Sequence, residues 1–421
     1  MIYQRSDIGN GVGFTSVTDE KFKSRSLSVY FLTELHNETA ALNNLAVSVL
    51  TNSNSTYRSY AAFSEKLSEL YGAALSSTTR KKSDSQILGV RASWLDNKYA
   101  IDGEDIGGEM RELIRNCIFA PDADNEKFSE ESFSISKKEL LDRIDCELND
   151  KHAYALMQAS KLAFRGEPAA VASYGNRETA LAADPHSAFL AYQELLRTAQ
   201  VEIYYVSPVK DDSFADMFRE CFAGIDRSPV PLSFYCPSPL KPEPETVTDE
   251  FDVNQCKMVI SFKTDTTDKY ALKMMSIIYG ELPFSKLFVN VREKMSLCYY
   301  CSSTSSFVKG SLNVDTGVER CNTEKAKSAI LAQLDEIANG NITDEEIAGA
   351  LMALDNAVQQ CGDTPSSYIS WYFDCFCDKD FITPEEHFAR FCAVTKERII
   401  NAAKSLKLDS IYIMLNKEGQ D

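Results

Sequence analysis

Histidine and tryptophan are the scarcest residues of this sequence, with only four and two copies among 421 residues. The four histidines are far apart along the chain, and neither H-E-x-x-H nor H-x-x-E-H occurs. No predicted helix therefore offers two imidazoles on one face, which is the arrangement that binds catalytic zinc. We interpret each lone histidine as a surface or structural residue, and we expect no bound metal.

An excess of basic residues is also missing. Lys and Arg number 44 against 62 Asp and Glu, for a net charge of −18. A nucleic-acid-binding face or an anionic membrane surface would require the opposite balance. We therefore expect no nucleic-acid and no membrane partner. The acidity is compatible with a cationic peptide, although most of it is expected to be solvated surface.

Long apolar segments are absent. The most apolar runs, LNNLAVSVL and YALKMMSIIYG, are too short to cross a bilayer, and the first residues, MIYQRSDIGNGVGF, contain no apolar core of a signal peptide. These features predict a cytoplasmic location.

The twelve cysteines are then expected to be mostly reduced and buried. Cys298 and Cys301 form one C-x-x-C on a predicted strand, where a spacing of three places them on opposite faces; we interpret them as small core residues.

The common cofactor motifs are missing as well. No G-x-x-x-x-G-K-[ST], G-x-G-x-x-G or G-x-S-x-G is present. Nucleotide binding and a serine-hydrolase elbow thus have no support, and no cofactor is predicted.

A proline-rich segment is the clearest feature that the sequence does contain. Residues 227–246 carry six prolines, which disfavour helix and indicate an extended linker. Its position near the middle of the chain suggests an internal duplication. We predict a first half at 1–226, a linker at 227–250 and a second half at 251–421.

The two halves share an order of predicted elements. Each ends in a helix followed by an apolar strand, VEIYYV (201–206) and SIYIML (410–415), and the early part of each contains a helix, a second helix and a strand in that order. Further strands are predicted at 27–35, 86–95, 256–263 and 311–318, and a long helical region at 128–163 with a break near Asn149 and Asp150. The mixture predicts an α+β fold of two homologous α/β sandwich repeats, each an antiparallel-rich sheet covered by helices and joined by the linker.

One stretch, FSKLFVNVREKMSLCYYCSS (284–303), combines a helix with a following strand. Arg292 lies beside the predicted apolar face, and Tyr299 begins the strand. Both are hydrogen-bond donors that could steady an oxyanion at such a corner. The alternative is a surface arginine and a tyrosine at the edge of the core, which spacing alone favours. The predicted buried face consists of Phe284, Leu287, Phe288, Val291 and Met295.

The run SKLFVNVREKMSLCYY resembles the second-half signature of the insulinase-like (pitrilysin) metallopeptidase family, in its mitochondrial-processing-peptidase-like branch. That pattern is approximately S-x-L-F-x-x-[IV]-R-E-K-x-G-L-x-Y, and this chain departs from it at Ser296, where glycine is usual. The resemblance extends over essentially the whole chain. It implies two homologous α+β halves, and chains of this family enclose a chamber that holds an unfolded peptide.

Active members of that family carry H-x-x-E-H on the first helix of the first half, with a further glutamate on a later helix. The equivalent window here is Asn44-Leu45-Ala46-Val47-Ser48. Asn44, Val47 and Ser48 therefore stand at degenerate zinc-motif positions, with neither ligands nor base. Acidic residues remain in the later region, 137–145, but they do not make a zinc site alone.

The resemblance thus implies an inactive, non-peptidase bacterial member with no catalytic residues of its own. Arg292 and Tyr299 match positions that contact substrate near the scissile bond, beside a zinc site in a partner chain. The expected partners are a zinc-bearing insulinase-like chain, or a second copy of this chain, and an unfolded peptide. Two alternatives remain: a peptide-binding or scaffold protein in a complex without hydrolysis, and a self-sufficient peptidase with a non-standard site.

Overall fold

A computed structural model describes residues 1–417 of the chain, which contain two main sheets and one short hairpin. The strands are β1 (Ile2–Gly9), β2 (Val12–Thr18), β3 (Ser24–Glu34), β4 (Ala74–Lys82), β5 (Ser85–Leu95), β6 (Ala123–Asp124), β7 (Lys127–Phe128), β8 (Gln200–Ser207), β9 (Glu245–Phe251), β10 (Cys256–Lys263), β11 (Cys298–Ser306), β12 (Ser311–Val318) and β13 (Lys407–Asn416).

The α-helices are distributed along both halves of the sequence. They are α1 (Ala40–Val49), α2 (Tyr60–Glu69), α3 (Ile106–Phe119), α4 (Glu130–Asp145), α5 (Lys151–Ala163), α6 (Arg177–Ala182), α7 (Pro185–Thr198), α8 (Ser213–Ala223), α9 (Lys269–Ser276), α10 (Thr323–Ala338), α11 (Asp344–Gln360), α12 (Pro365–Asp378), α13 (Pro384–Cys392) and α14 (Lys396–Ser405). Two further segments, Ile277–Glu281 and Leu287–Lys294, are π-helical.

The two main sheets repeat the same topology. The first sheet has the strand order β4-β5-β3-β8-β2-β1. The second, read from the corresponding edge, has the order β11-β12-β10-β13-β9. In each sheet the last strand of its half pairs antiparallel with a central strand, as β8 with β3 and β13 with β10. The one parallel pair also recurs, as β2 with β8 and β9 with β13. The prediction of two α+β repeats with antiparallel-rich sheets covered by helices is confirmed.

The predicted strands lie where periodicity placed them, at β3, β5, β10 and β12. The helical region at 128–163 is interrupted at 147–149, next to the predicted break. Segment 225–244 contains neither helix nor strand, and β9 begins at its end.

Contacts divide the described chain into two compact units. The first comprises Met1–Asp145, Val171–Phe234 and Cys361–Phe381, and the second comprises the remaining segments. The first unit therefore includes α12 from the later half of the sequence, and the second includes α5 from the earlier half. These two helices occupy the same place in the element order of their repeats. The linear boundaries at 226 and 251 stay a prediction about the duplication.

Each sheet is covered by helices on both faces. In β3, Val29 and Phe31 contribute to a core cluster that also takes residues from α1, α3 and α7. The alternate residues Tyr30 and Leu32 contribute to a separate cluster with α12. Successive strand residues point to opposite faces, so α12 covers the second face of this sheet. In β10, Val259 packs with α5 in the same way.

Within residues 1–417, no helix has both the length and the apolar character that a bilayer crossing requires.

Candidate functional site

The corner that contains Arg292 and Tyr299 lies in the second unit. The predicted helix is present, but Leu287–Lys294 forms a π-helix rather than an α-helix. Leu287 and Val291 are fully buried, whereas Phe284 is 39% and Met295 is 51% exposed. The prediction of one continuous buried face is therefore wrong at both ends, because Phe284 lies in the turn before the helix and Met295 in the turn after it. π-Helical turns occur frequently at functional sites.

Arg292 occupies the last turn of this π-helix. Its guanidinium carbon lies 4.5 Å from the centroid of the Phe288 ring. Its Nε is 3.6 Å from Oε1 of Glu293, which is a long and exposed ion pair, and 39% of the Arg292 side chain is exposed. The ring supports the stem of the arginine while its N–H groups remain accessible to a ligand.

Tyr299 is the extra residue of a β-bulge. The register between β11 and β12 shifts between Cys298 and Tyr300, and Tyr299 is 58% exposed. Its hydroxyl donates a hydrogen bond of 3.2 Å to Oε1 of Glu319. This hydrogen bond raises the pKa of Tyr299, so the phenol is protonated and can donate at neutral pH. Glu319 was missed in the sequence, where nothing distinguishes it from other acidic residues.

The structure places both donors at one helix-to-strand corner. Among the described residues, no hydrogen bond joins Arg292 to Tyr299, but the charge of Arg292 acts on Cys298, the neighbour of Tyr299. Two exposed donors at such a corner can bind a carbonyl oxygen and stabilise negative charge that develops on it. The assignment of Arg292 and Tyr299 as substrate-binding residues stays a prediction.

The prediction that Cys298 and Cys301 point to opposite faces is wrong. Cys298 pairs with Val318 and Cys301 with Thr316. Those two partners are two residues apart on β12, so they share one face. The bulge at Tyr299 adds a residue to β11 and thereby brings both cysteines to that face. Each thiol shifts the pKa of the other, downward at Cys298 and upward at Cys301.

Ser296 ends the π-helix in the left-handed region, with φ of +50°. Gly72 stands at the equivalent place in the first repeat, two residues before β4, with φ of +71°. Ser296 likewise lies two residues before β11. Glycine adopts this conformation without a steric penalty, whereas serine does not. The departure from the family pattern therefore leaves a strained residue between Arg292 and Tyr299.

We predict that Ser296→Gly stabilises the protein. Removing Cβ relieves about 1–2 kcal/mol of left-handed strain, and the greater freedom of unfolded glycine offsets about 0.5–1 kcal/mol of it. A net gain near 0.5 kcal/mol is expected in urea unfolding followed by far-ultraviolet circular dichroism. Ser328→Gly, at an exposed position inside α10, is the control and should destabilise by roughly 0.5 kcal/mol. Equal losses from both changes would contradict the account.

The degenerate zinc-motif positions lie on α1 in the first unit. Oδ1 of Asn44 accepts a hydrogen bond of 2.6 Å from the Thr79 hydroxyl on β4. Val47 is buried at 2% exposure, and the Ser48 hydroxyl donates to that of Ser136 on α4 at 3.1 Å. The first helix and a later helix therefore meet at this window, but their side chains are neutral.

A small network of polar groups, mostly neutral, surrounds this window, and the Ser53 hydroxyl in it also donates to the buried Asp122 carboxylate at 3.4 Å. Asn52 donates its side-chain N–H to the Ser136 hydroxyl at 2.8 Å, and the hydroxyls of Ser53 and Ser132 are 2.6 Å apart. These groups satisfy one another, so the buried window carries little desolvation penalty. Among residues 1–417, no group of three or more His, Cys, Asp or Glu side chains could hold a metal ion. Amides and hydroxyls without an anionic ligand are a poor donor set for zinc.

Comparison with known proteins agrees with this picture. Residues 190–354 match the family model described as the peptidase M16 inactive domain. The chain is 28% identical over 407 residues to a protein of Bacillus subtilis named probable inactive metalloprotease YmfF, with 96% of this chain and 95% of the relative covered.

Two solved structures share the fold over their whole length. A crystal structure of a conserved protein from Enterococcus faecalis matches with a TM-score of 0.90 at 26% identity, covering 100% of both chains. A second crystal structure, of a peptidase M16 inactive domain from Pseudomonas fluorescens, matches with a TM-score of 0.81 at 16% identity, covering 100% of this chain and 99% of the other. The resemblance that the 284–300 motif and the empty 44–48 window indicated is confirmed.

Proposed function

We propose that this chain, an inactive homologue of the insulinase-like (M16) metallopeptidases, acts as the non-catalytic subunit of a two-chain zinc peptidase. In this proposal it binds an unfolded peptide and supplies Arg292 and Tyr299 as donors to the peptide carbonyl. A partner chain supplies zinc and the general base through its own H-x-x-E-H. Cleavage then requires both chains.

The observation that carries the proposal is the contrast between two places in the chain. At the α1 window, Asn44, Val47 and Ser48 offer no anionic or imidazole ligand. At the corner of the second unit, Arg292 and Tyr299 keep exposed donor groups on a π-helix and a β-bulge. Each of these elements interrupts regular hydrogen bonding, and π-helical turns and β-bulges occur frequently at functional sites.

The chemistry of the corner agrees with that role. During peptide hydrolysis negative charge develops on the carbonyl oxygen, and preorganised donors lower its energy more than they stabilise the ground state. Arg292 contributes a permanent positive charge. Tyr299 contributes a neutral O–H whose present acceptor, Glu319, holds it at the surface. A peptide carbonyl would take the place of that carboxylate.

The test is co-purification of this chain with a family member that carries H-x-x-E-H from the same organism. We expect a stoichiometric complex by size-exclusion chromatography with light scattering, and peptide cleavage by its pooled fractions. A complex that binds peptide without cleaving it would favour the alternative, a peptide-binding or scaffold protein. Absence of any complex, with this chain forming only dimers of itself, would contradict the proposal.

A further inference from the structure

The Cys298–Cys301 pair is an unusual feature of the second unit that the proposed function does not use. β11 is the edge strand of its sheet, and its bulge turns both cysteines toward the face shared by Val318 and Thr316 on β12. Cys301 is buried at 5% exposure, whereas Cys298 is partly exposed. The two thiols therefore form an adjacent pair with one accessible and one enclosed member.

The two thiols differ in acidity. The neighbouring Cys301 thiol lowers the pKa of Cys298 to about 7, with further lowering by the Thr316 hydroxyl and the charge of Arg292, against the opposing effect of burial. The neighbouring Cys298 thiol and burial raise the pKa of Cys301. The accessible cysteine is thus the one that forms a thiolate, and the thiolate is the form that attacks disulfides. Such a pair has the parts of an attacking and a resolving cysteine.

We propose that Cys298 and Cys301 form a reversible modification site, which reacts with an oxidised low-molecular-mass disulfide and closes to an intramolecular disulfide. The Cys298 thiolate attacks one sulfur of that disulfide, whose S–S bond breaks and releases one thiolate. Cys301 then loses its proton to solvent and attacks Sγ of Cys298, and the second small thiolate leaves. Two protein thiols are oxidised, and one small disulfide is reduced to two thiols.

The geometry favours closure over other outcomes. A disulfide joins cysteines whose Cα atoms lie within about 7 Å of each other. Cys298 and Cys301 pair with residues only two positions apart on β12, a spacing of about 6.8 Å along a strand. The closed bond spans Tyr299, so it fixes the bulge that displays this residue. The site requires no partner chain, so its existence stands apart from the proposed function.

The experiment uses the full-length reduced protein and oxidised glutathione as the probe. After incubation, free thiols are blocked with N-ethylmaleimide under denaturing conditions and the protein is digested with trypsin. Cleavage after Lys294 and Lys309 releases residues 295–309, which contain Cys298 and Cys301 as their only cysteines. We expect this peptide to lose two hydrogens and to carry no maleimide, before the exposed Cys146, Cys321 and Cys392 acquire glutathione.

Single substitutions separate the two roles. Cys301→Ser should trap one glutathionyl group on Cys298, because no thiol resolves the mixed disulfide. In Cys298→Ser, the buried Cys301 should not react with glutathione. It should be labelled by maleimide once the protein is denatured. Cys321→Ser, which removes an exposed cysteine of the same unit, is the control and should not alter closure. A wild-type peptide that keeps two maleimides, or keeps glutathione on Cys298, would overturn the proposal, whether or not a partner peptidase is found.

Discussion

Arg292→Ala and Tyr299→Phe should each lower kcat/KM of the two-chain peptidase by roughly a hundredfold, the typical effect of removing one oxyanion donor. Both changes delete a donor and leave the fold intact, because the two side chains are 39% and 58% exposed. The loss should lie mainly in kcat, because the donated hydrogen bonds strengthen as charge develops on the carbonyl oxygen. Steady-state kinetics on an internally quenched peptide measures this effect.

Lys294→Ala is the matched control for Arg292. Lys294 is an exposed cation two residues further along the same π-helix, and its Nζ donates to Oδ1 of Asn290 at 3.0 Å. Its removal changes the net charge by the same amount without touching the corner, so kcat/KM should stay at the wild-type value. Full activity in both the Arg292 and Tyr299 variants, with the partner's zinc retained, would show that these residues do not contact the reacting bond.

Phe373→Ala should destabilise the first unit by about 3–5 kcal/mol, as is typical for a buried phenylalanine. Phe373 lies on α12 with 1% exposure. Its ring centroid is 5.2 Å from that of Tyr30 and 6.2 Å from that of Tyr204. The guanidinium of Arg80 stacks on the ring at 4.5 Å. These contacts attach α12, which comes from the later half of the sequence, to a sheet whose strands all precede residue 208. The loss of stability therefore measures how strongly α12 packs on that sheet.

Urea unfolding followed by tryptophan fluorescence measures this change. Both tryptophans, Trp94 and Trp371, belong to the first unit, and their emission therefore follows that unit. Phe381→Ala is the control, because Phe381 belongs to the same unit and is 45% exposed; it should cost less than about 1 kcal/mol, including its contact with Arg5. Equal effects of the two changes would mean that α12 does not cover the first sheet.

The fold was readable from the sequence where local patterns decide the structure. Thr343 and Glu346 have the T-x-x-E spacing of a capping box and form it, with reciprocal hydrogen bonds of 2.9 and 3.1 Å. The strand β10 was recognisable by its apolar run, and β12 by its recurring apolar residues Leu312, Val314 and Val318. The sequence did not show that α12 packs in the first unit and α5 in the second. Both helices have ordinary amphipathic patterns, and long-range packing decides which surface an apolar helix face contacts.

The candidate residues could be named from the sequence, but their local geometry could not. Arg292 and Tyr299 were recognisable from a motif, and the loss of the zinc ligands was evident from the absence of histidine at Asn44 and Ser48. The π-helix and the bulge were missed because both insert a residue into a regular period, and periodicity arguments assume that no residue is inserted. That inserted residue at Tyr299 is also what places Cys298 beside Cys301.

The most direct test of the central claim is peptide cleavage by three preparations: this chain alone, the H-x-x-E-H partner alone, and the two mixed. We predict no cleavage and no stoichiometric zinc for this chain alone, little cleavage for the partner alone, and a rate in the mixture that rises until the chains are equimolar. Cleavage by this chain alone, with bound zinc, would contradict the account. So would an equal cleavage rate for the partner in the presence and in the absence of this chain.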